Sequence, residues 1–132
     1  MIFLDSGFII ALSNDRDEHN RRAMEIVKDI KGNTYGDSVI TDYIFDEVLT
    51  SLLARVGELR MAVRTGEGLL GTTSLIGIDP VMFSETWNIS QRNPRLSFTD
   101  CSTIATCRAN GIERIATFDK VLGEESRLEV VR

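Results

Sequence analysis

The segment "RLSFTDCSTIATCRANGIERIATFD", Arg95–Asp119, reads as a helix followed by a strand, with Asp100 near its front and Asp119 at its end. Ser97-Phe98-Thr99-Asp100 has the S-x-x-D spacing of a capping box, so a helix is expected over Ser97–Asn110. Gly111 suits the cap that ends it. The strand "ERIATFD" follows, and "RLEVVR" closes the chain as a further strand.

Upstream the same alternation repeats. "MIFLD" is short, apolar and closed by Asp5, the pattern of a buried strand that begins a parallel sheet. "SGFIIALS" is a short apolar helical turn. "NDRDEHNRRAMEIVKDIKG" carries acids at its front, bases towards its rear and Gly32 after its end, so a helix is expected across it with His19 inside. "YGDSVIT" is a second strand. In "DYIFDEVLTSLLARVG" the apolar positions Ile44, Phe45, Val48, Leu49, Leu52, Leu53 and Val56 recur at helical spacing, and Gly57 closes the run. "ELRMAVRTGEGLLG" is a weaker helix because of Gly66, Gly68 and Gly71. "TSLIGID" is a third strand, and Pro80 opens the helix "PVMFSETWNISQR".

Strands alternating with helices predict a three-layer α/β/α sandwich with a mostly parallel central sheet. A chain of 132 residues, 42% hydrophobic and 27% charged, fits one globular domain spanning 1–132. Asp5 interrupts the first apolar run and no later run nears membrane-spanning length, so a cytoplasmic protein away from membranes is expected. Cys101 and Cys107 match neither a disulfide framework nor a zinc site.

In parallel sheets ligands bind beyond the carboxyl ends of the strands. Asp5 and Asp119 are expected there as strand-final residues, and Asp100 on the first turn of its helix faces the same edge. Each also has a bland reading: Asp100 as half of a capping box, Asp119 as a strand-end acid or the cap of a helix from Lys120. Asp5 is harder to explain so, because it closes an apolar strand with no basic neighbour in sequence, where an unpaired carboxylate is costly. Asp15, Asp17, Glu58 and Glu67 read as solvated. The period rule turns Glu47 away from the apolar stripe, and it does not prefer Glu47 to Asp42 or Asp46.

"FLDSGFIIAL", "ITDYIFDEVLTSLL" and "LSFTDCSTIATCRANGIERIATFD", in that order, resemble a PIN domain, the small metal-dependent nuclease family that includes the VapC-type toxins. The resemblance covers nearly the whole chain. It matches Asp5, Glu47, Asp100 and Asp119 to the family's acids, as catalytic and metal-binding residues, and it is what selects Glu47. Ser6, Thr99 and Thr117 fall at the family's supporting hydroxyls. Cys101 departs from it, standing where many members have alanine.

An all-oxygen set of this kind suits Mg²⁺ or Mn²⁺. The resemblance implies an endoribonuclease that hydrolyses RNA phosphodiester bonds, the toxin of a VapBC-type pair, homodimeric and inhibited by an antitoxin. A PIN-like domain that binds RNA or protein without cutting, or a PIN nuclease of RNA processing, are the other readings. The net charge of −5 opposes a polyanionic ligand. Bound cations would offset it, leaving Arg55, Arg92 and Arg95, with Arg60 and Arg64, to guide a phosphate backbone. A phosphate-receiving signalling domain or a haloacid-type phosphatase would need a second acid near Asp5, where Ser6-Gly7 stands.

Overall fold

The computed structural model of the chain describes residues 1–55 and 57–132. The expectation that Val56 continues the stripe of the third helix falls outside them. Five strands, β1 (Ile2–Leu4), β2 (Ser38–Thr41), β3 (Ser74–Ile76), β4 (Arg114–Ala116) and β5 (Glu129–Val131), form one sheet in the order β3-β2-β1-β4-β5. Every pairing is parallel, Phe3 standing opposite Val39 on one side and Ile115 on the other. Seven helices complete the described fold: α1 (Ser6–Ser13), α2 (Asn20–Lys31), α3 (Asp42–Arg55), α4 (Leu59–Thr72), α5 (Pro80–Ser90), α6 (Phe98–Asn110) and α7 (Lys120–Ser126). The architecture is the three-layer α/β/α sandwich, with a wholly parallel sheet.

β1 is central and buried along its whole length, which is why it is a continuous apolar triplet. Phe3, Phe8, Ile26, Ile40, Ile44, Leu52, Ile115 and Leu122 are among the largest fully buried side chains. From Cys101 to Cys107 every residue of α6 is buried, small and hydroxyl side chains included. The two thiols are free, and burial pushes that of Cys107 up to about 12. No helix among the described residues is long and apolar enough to cross a membrane.

Three expectations change. The acidic run Asp15–Glu18 is a turn and α2 begins at Asn20, so His19 is the residue before the helix, not one within it. Asp17 Oδ1 accepts from the His19 amide at 2.8 Å, a local bond that competes with helix continuation. Asp119 does not end β4; it lies three residues past Ala116 and caps α7. α4 is a full fourteen-residue helix despite its glycines. Gly66 is buried against Leu49 and Phe45, whose side-chain carbons stand 3.4 Å from where its Cβ would be, so here the missing side chain permits close packing of α4 on α3.

Candidate metal centre

The chain leaves β1 for β2 and β3 on one side and returns to β4 and β5 on the other. The crevice between β1 and β4 is therefore the switch point of the sheet. Asp5 emerges there from β1, its amide donating to Ala116 O of β4 at 3.1 Å. It occupies the residue before α1, yet its side chain caps nothing. Instead Asp5 Oδ2 accepts a hydrogen bond from Thr117 Oγ1 at 2.7 Å.

Asp5 is only 5% exposed. Its carboxyl is raised from 3.8 to about 6, mainly by lost hydration; the Thr117 hydroxyl and Ser6 amide oppose the rise, and the negative charges of Asp100 and Glu47 add to it. Two of the other acids selected by resemblance thus lie close enough for their charges to act on Asp5. The thiol of Cys101 is raised too, first by burial and then by Asp100.

Asp100 is half-buried on the first turn of α6. Both halves of the expected capping box form: the Ser97 amide donates to Asp100 Oδ2 at 2.8 Å, and the Asp100 amide donates to Ser97 Oγ at 3.0 Å. The box does not compete with a site role, because it orients the carboxylate while engaging one of its two oxygens.

Glu47 is half-buried rather than solvent-facing, contrary to the period rule. α3 packs against α1, α4 and α6, so its flank away from the stripe of Ile44, Val48 and Leu52 meets another helix and not water alone. The neighbouring acids are spent locally or exposed: Asp42 Oδ1 accepts from the Ile78 amide at 3.1 Å, and Asp46 is solvated.

Asp119 is exposed, with Oδ1 accepting from the Leu122 amide at 2.9 Å. It connects to Asp5 through the chain: the Asp119 amide donates to Thr117 Oγ1 at 3.0 Å, and that hydroxyl donates on to Asp5. Thr117 is wholly buried. Ser6 and Thr99 are half-buried beside Asp5 and Asp100 in sequence, Ser6 acting through its backbone. A Cβ on Gly7 would stand 3.3 Å from Asp5 Oδ2, so glycine keeps that oxygen uncrowded.

The donors are carboxylate oxygens, and Asp5 gains most from a nearby cation. Yet no three His, Cys, Asp or Glu side chains among the described residues are placed to hold one ion directly. That combination fits Mg²⁺, which binds through one or two carboxylates, keeps several waters and takes the rest of its shell from phosphate. It does not fit an ion that needs a closed protein cage.

The arginines are dispersed. Arg95 is bound to Glu125 at 3.1 Å and Glu124 at 3.6 Å, tying the α5–α6 connection to α7. Arg92 lines a cleft of about 570 Å³ with Arg108, Arg127 and the glutamates Glu85, Glu124 and Glu125. Arg55 is exposed at the end of α3. A cleft of about 990 Å³ between α2 and α4 contains none of the four acids.

Two aromatic groups border the site and had only proximity in sequence to announce them. His19 stacks on Phe118, the residue between Thr117 and Asp119, with centroids 4.4 Å apart and planes 14° apart. Phe98, two residues before Asp100, meets Phe83 and Tyr43 at 5.6 and 6.3 Å.

The PIN domain family model matches residues 2–125 of this chain. No curated protein sequence matches it. Among solved structures, VapC20 of Mycobacterium tuberculosis, described as a sarcin-ricin loop cleaving toxin, is similar over 100% of both chains, with a TM-score of 0.86 and 24% identity. A chain of a toxin-antitoxin complex from Klebsiella pneumoniae gives 0.72 at 19% identity, covering 100% of this chain and 97% of its own. PAE2754 from Pyrobaculum aerophilum gives 0.70 at 19%, covering 98% and 81%. At these identities the likeness is one of fold.

Proposed function

We propose, from the premise that this chain belongs to the PIN domain family, that it is a nuclease dependent on a divalent cation, and more narrowly an endoribonuclease hydrolysing RNA phosphodiester bonds. The observation that carries this reading is Asp5: a carboxylate buried at the switch point of a parallel sheet, unpaired with any base among the described residues and pressed by the charges of Asp100 and Glu47. A fold keeps such a group at a cost, and a hard cation turns the cost into affinity.

Of Asp5, Glu47, Asp100 and Asp119, the residues that would hold Mg²⁺ or Mn²⁺, one or two would bind it directly and the others through its waters. When bound, the cation supplies Lewis acidity towards the phosphate and acidifies water for in-line attack. The chain's own part is orientation. Thr117 holds the Asp5 carboxylate, with the Ser6 amide also favouring its charged form, and the Ser97 amide holds that of Asp100. Both carboxylates are thus oriented before substrate arrives, which lowers the reorganisation needed during reaction.

Within this reading we assign the chain, as one domain over 1–132, to the toxins of VapBC-type pairs: cytoplasmic, homodimeric and restrained by an antitoxin. Its fold is that of VapC20 and of a chain in the Klebsiella pneumoniae toxin-antitoxin complex, which supports the assignment. The test is incubation of purified protein with a total RNA pool, with Mg²⁺ or with chelator. Cleavage with Mg²⁺ alone, lost in Asp5→Asn and Asp100→Asn, is expected. Undiminished cleavage by a clean preparation of either variant removes the reading, and tight binding without cleavage favours a non-cutting PIN-like module.

A further inference from the structure

His19 is the residue before α2, a position from which a side chain ordinarily caps the helix, yet its imidazole makes no cap bond. The ring lies nearly flat on Phe118 instead, 4.4 Å away with planes 14° apart, the contact geometry of an aromatic pair. The backbone fixes it there. The His19 amide donates to Asp17 Oδ1 at 2.8 Å, and its carbonyl accepts from the Ala23 amide at 2.9 Å. Next to it, Asn20 Nδ2 donates to the carbonyls of Ala11 and Leu12 at 2.8 and 3.3 Å. The turn that bears His19 is thus fastened both to the last turn of α1 and to the start of α2. Glu18 Oε1, 3.8 Å from His19 Nε2, is too exposed to anchor the ring.

Phe118 depends on such a partner. It is half-buried in the segment 117–119 between β4 and α7, and among the described residues its backbone pairs with no other backbone group. Its ring holds it in place. One aromatic neighbour is Phe8 of α1, wholly buried, with centroids 5.9 Å apart and planes at 33°; the other is His19. Without the imidazole, that side of Phe118 faces water.

The residues on either side of Phe118 give the stack its consequence. Thr117 donates to the Asp5 carboxylate at 2.7 Å. Asp119 is exposed, tied only by its amide to Thr117 Oγ1 at 3.0 Å and by its Oδ1 to the Leu122 amide at 2.9 Å. A shift of the Phe118 ring therefore moves a segment that carries one acid at its end and, at its start, the hydroxyl that holds another.

We infer that His19 is a positioning residue: its imidazole, stacked on Phe118, clamps the segment 117–119 and so sets Asp119 in the geometry that receives the cation. The role of Asp119 rests on the nuclease reading; the clamp itself does not, and it is measured without metal. Amide hydrogen exchange of the metal-free protein reads it directly, since local opening of the segment breaks the bonds of the Asp119 and Leu122 amides. His19→Leu should speed exchange at those two amides by roughly three- to tenfold, the range that an aromatic pair supplies, and leave the Phe3 amide of central β1 unchanged. His19→Phe, which keeps a flat ring and removes both nitrogens, should restore the wild-type rates.

Calorimetric titration with Mg²⁺ supplies the second readout. Affinity falls with the fraction of molecules whose segment is in place, so His19→Leu should weaken Mg²⁺ by roughly the same three- to tenfold. Combined with Phe118→Leu it should cost no more than Phe118→Leu alone, because both changes remove one contact. RNA cleavage by His19→Leu should be slowed at limiting Mg²⁺ and recover at saturating Mg²⁺. Wild-type exchange at Asp119 and Leu122 in His19→Leu overturns the clamp, and so do losses that add in full in the double variant. Cleavage lost equally in His19→Phe and His19→Leu at saturating Mg²⁺ would overturn it too, giving the work to the imidazole nitrogens. Faster exchange in His19→Leu of a protein that binds no Mg²⁺ and cuts no RNA would remove the nuclease reading and leave the clamp standing.

Discussion

Thr117 donates its hydroxyl hydrogen to Oδ2 of Asp5 over 2.7 Å, joining residues 112 positions apart inside the protein. Thr117 Oγ1 in turn accepts from the Asp119 amide at 3.0 Å, so one buried side chain ties the first acid to the loop bearing the last. Thr117→Val keeps the shape and removes both bonds. It should destabilise the fold by about 2 kcal/mol, since a hydrogen bond to a charged group is lost and the carboxylate remains buried. Thr117→Ser should recover most of this. Urea unfolding of the three proteins at neutral pH decides it; a valine variant as stable as wild type would show that the bond contributes nothing.

Asp5 also sets a pH dependence. Its carboxyl sits at about 6 when folded, against 3.8 ordinarily. Between those values the folded chain holds a proton that the unfolded chain has released, so the Asp5 contribution to stability falls as pH rises from about 4 to 6 and is level above. The loss is equivalent to about 3 kcal/mol. Without divalent ions, Asp5→Asn should be the more stable protein at pH 7.5 and should lose that advantage at pH 4. Denaturant midpoints of both proteins at the two pH values test this; an advantage that grows on acidification contradicts it.

Added Mg²⁺ should reverse that order. An ion that binds only the folded chain stabilises it by about 2.7 kcal/mol at one hundred times its dissociation constant. The wild-type melting temperature at pH 7.5 should therefore climb with Mg²⁺ while that of Asp5→Asn stays nearly level. Parallel rises in both would mean that the ion acts elsewhere.

Thr103 Oγ1, inside α6, is a buried side-chain oxygen with no hydrogen-bond partner among the described residues. Valine has nearly the same volume and no group to desolvate. Thr103→Val should gain about 1 kcal/mol. Calorimetry showing a loss instead would reveal a partner for the hydroxyl.

On α4, Gly68 is exposed and has nothing within 4 Å of a Cβ position. Gly68→Ala should add about 0.5–1 kcal/mol, because alanine costs less backbone entropy in a helix. Gly66→Ala gains less for the same change, its Cβ meeting Phe45 and Leu49 at 3.4 Å. Thermal melts of the two variants give the ranking, which equal gains would undo.

Much of the architecture was legible locally. A buried apolar triplet, a capping box at Ser97 and Asp100, and a left-handed Gly111 at the end of α6 are decided by neighbours within a few residues, and the structure bears all three out. Local chemistry also misled: the acids of Asp15–Glu18 resemble a helix start, but the side chains of Asn14 and Asp17 satisfy the backbone in a turn.

Which acids matter could not be read from spacing, because Asp42, Asp46 and Glu47 share one helix and the wheel favoured no useful choice among them. Closure of the layers brings Glu47 within electrical reach of Asp5, and burial raises Asp5 itself against the opposing hydrogen bond from Thr117. Hydrogen bonding and turn chemistry act over a few residues and are written into neighbouring letters. Desolvation and charge coupling depend on what the folded chain brings near from a hundred positions away, so they exist only once the layers have closed.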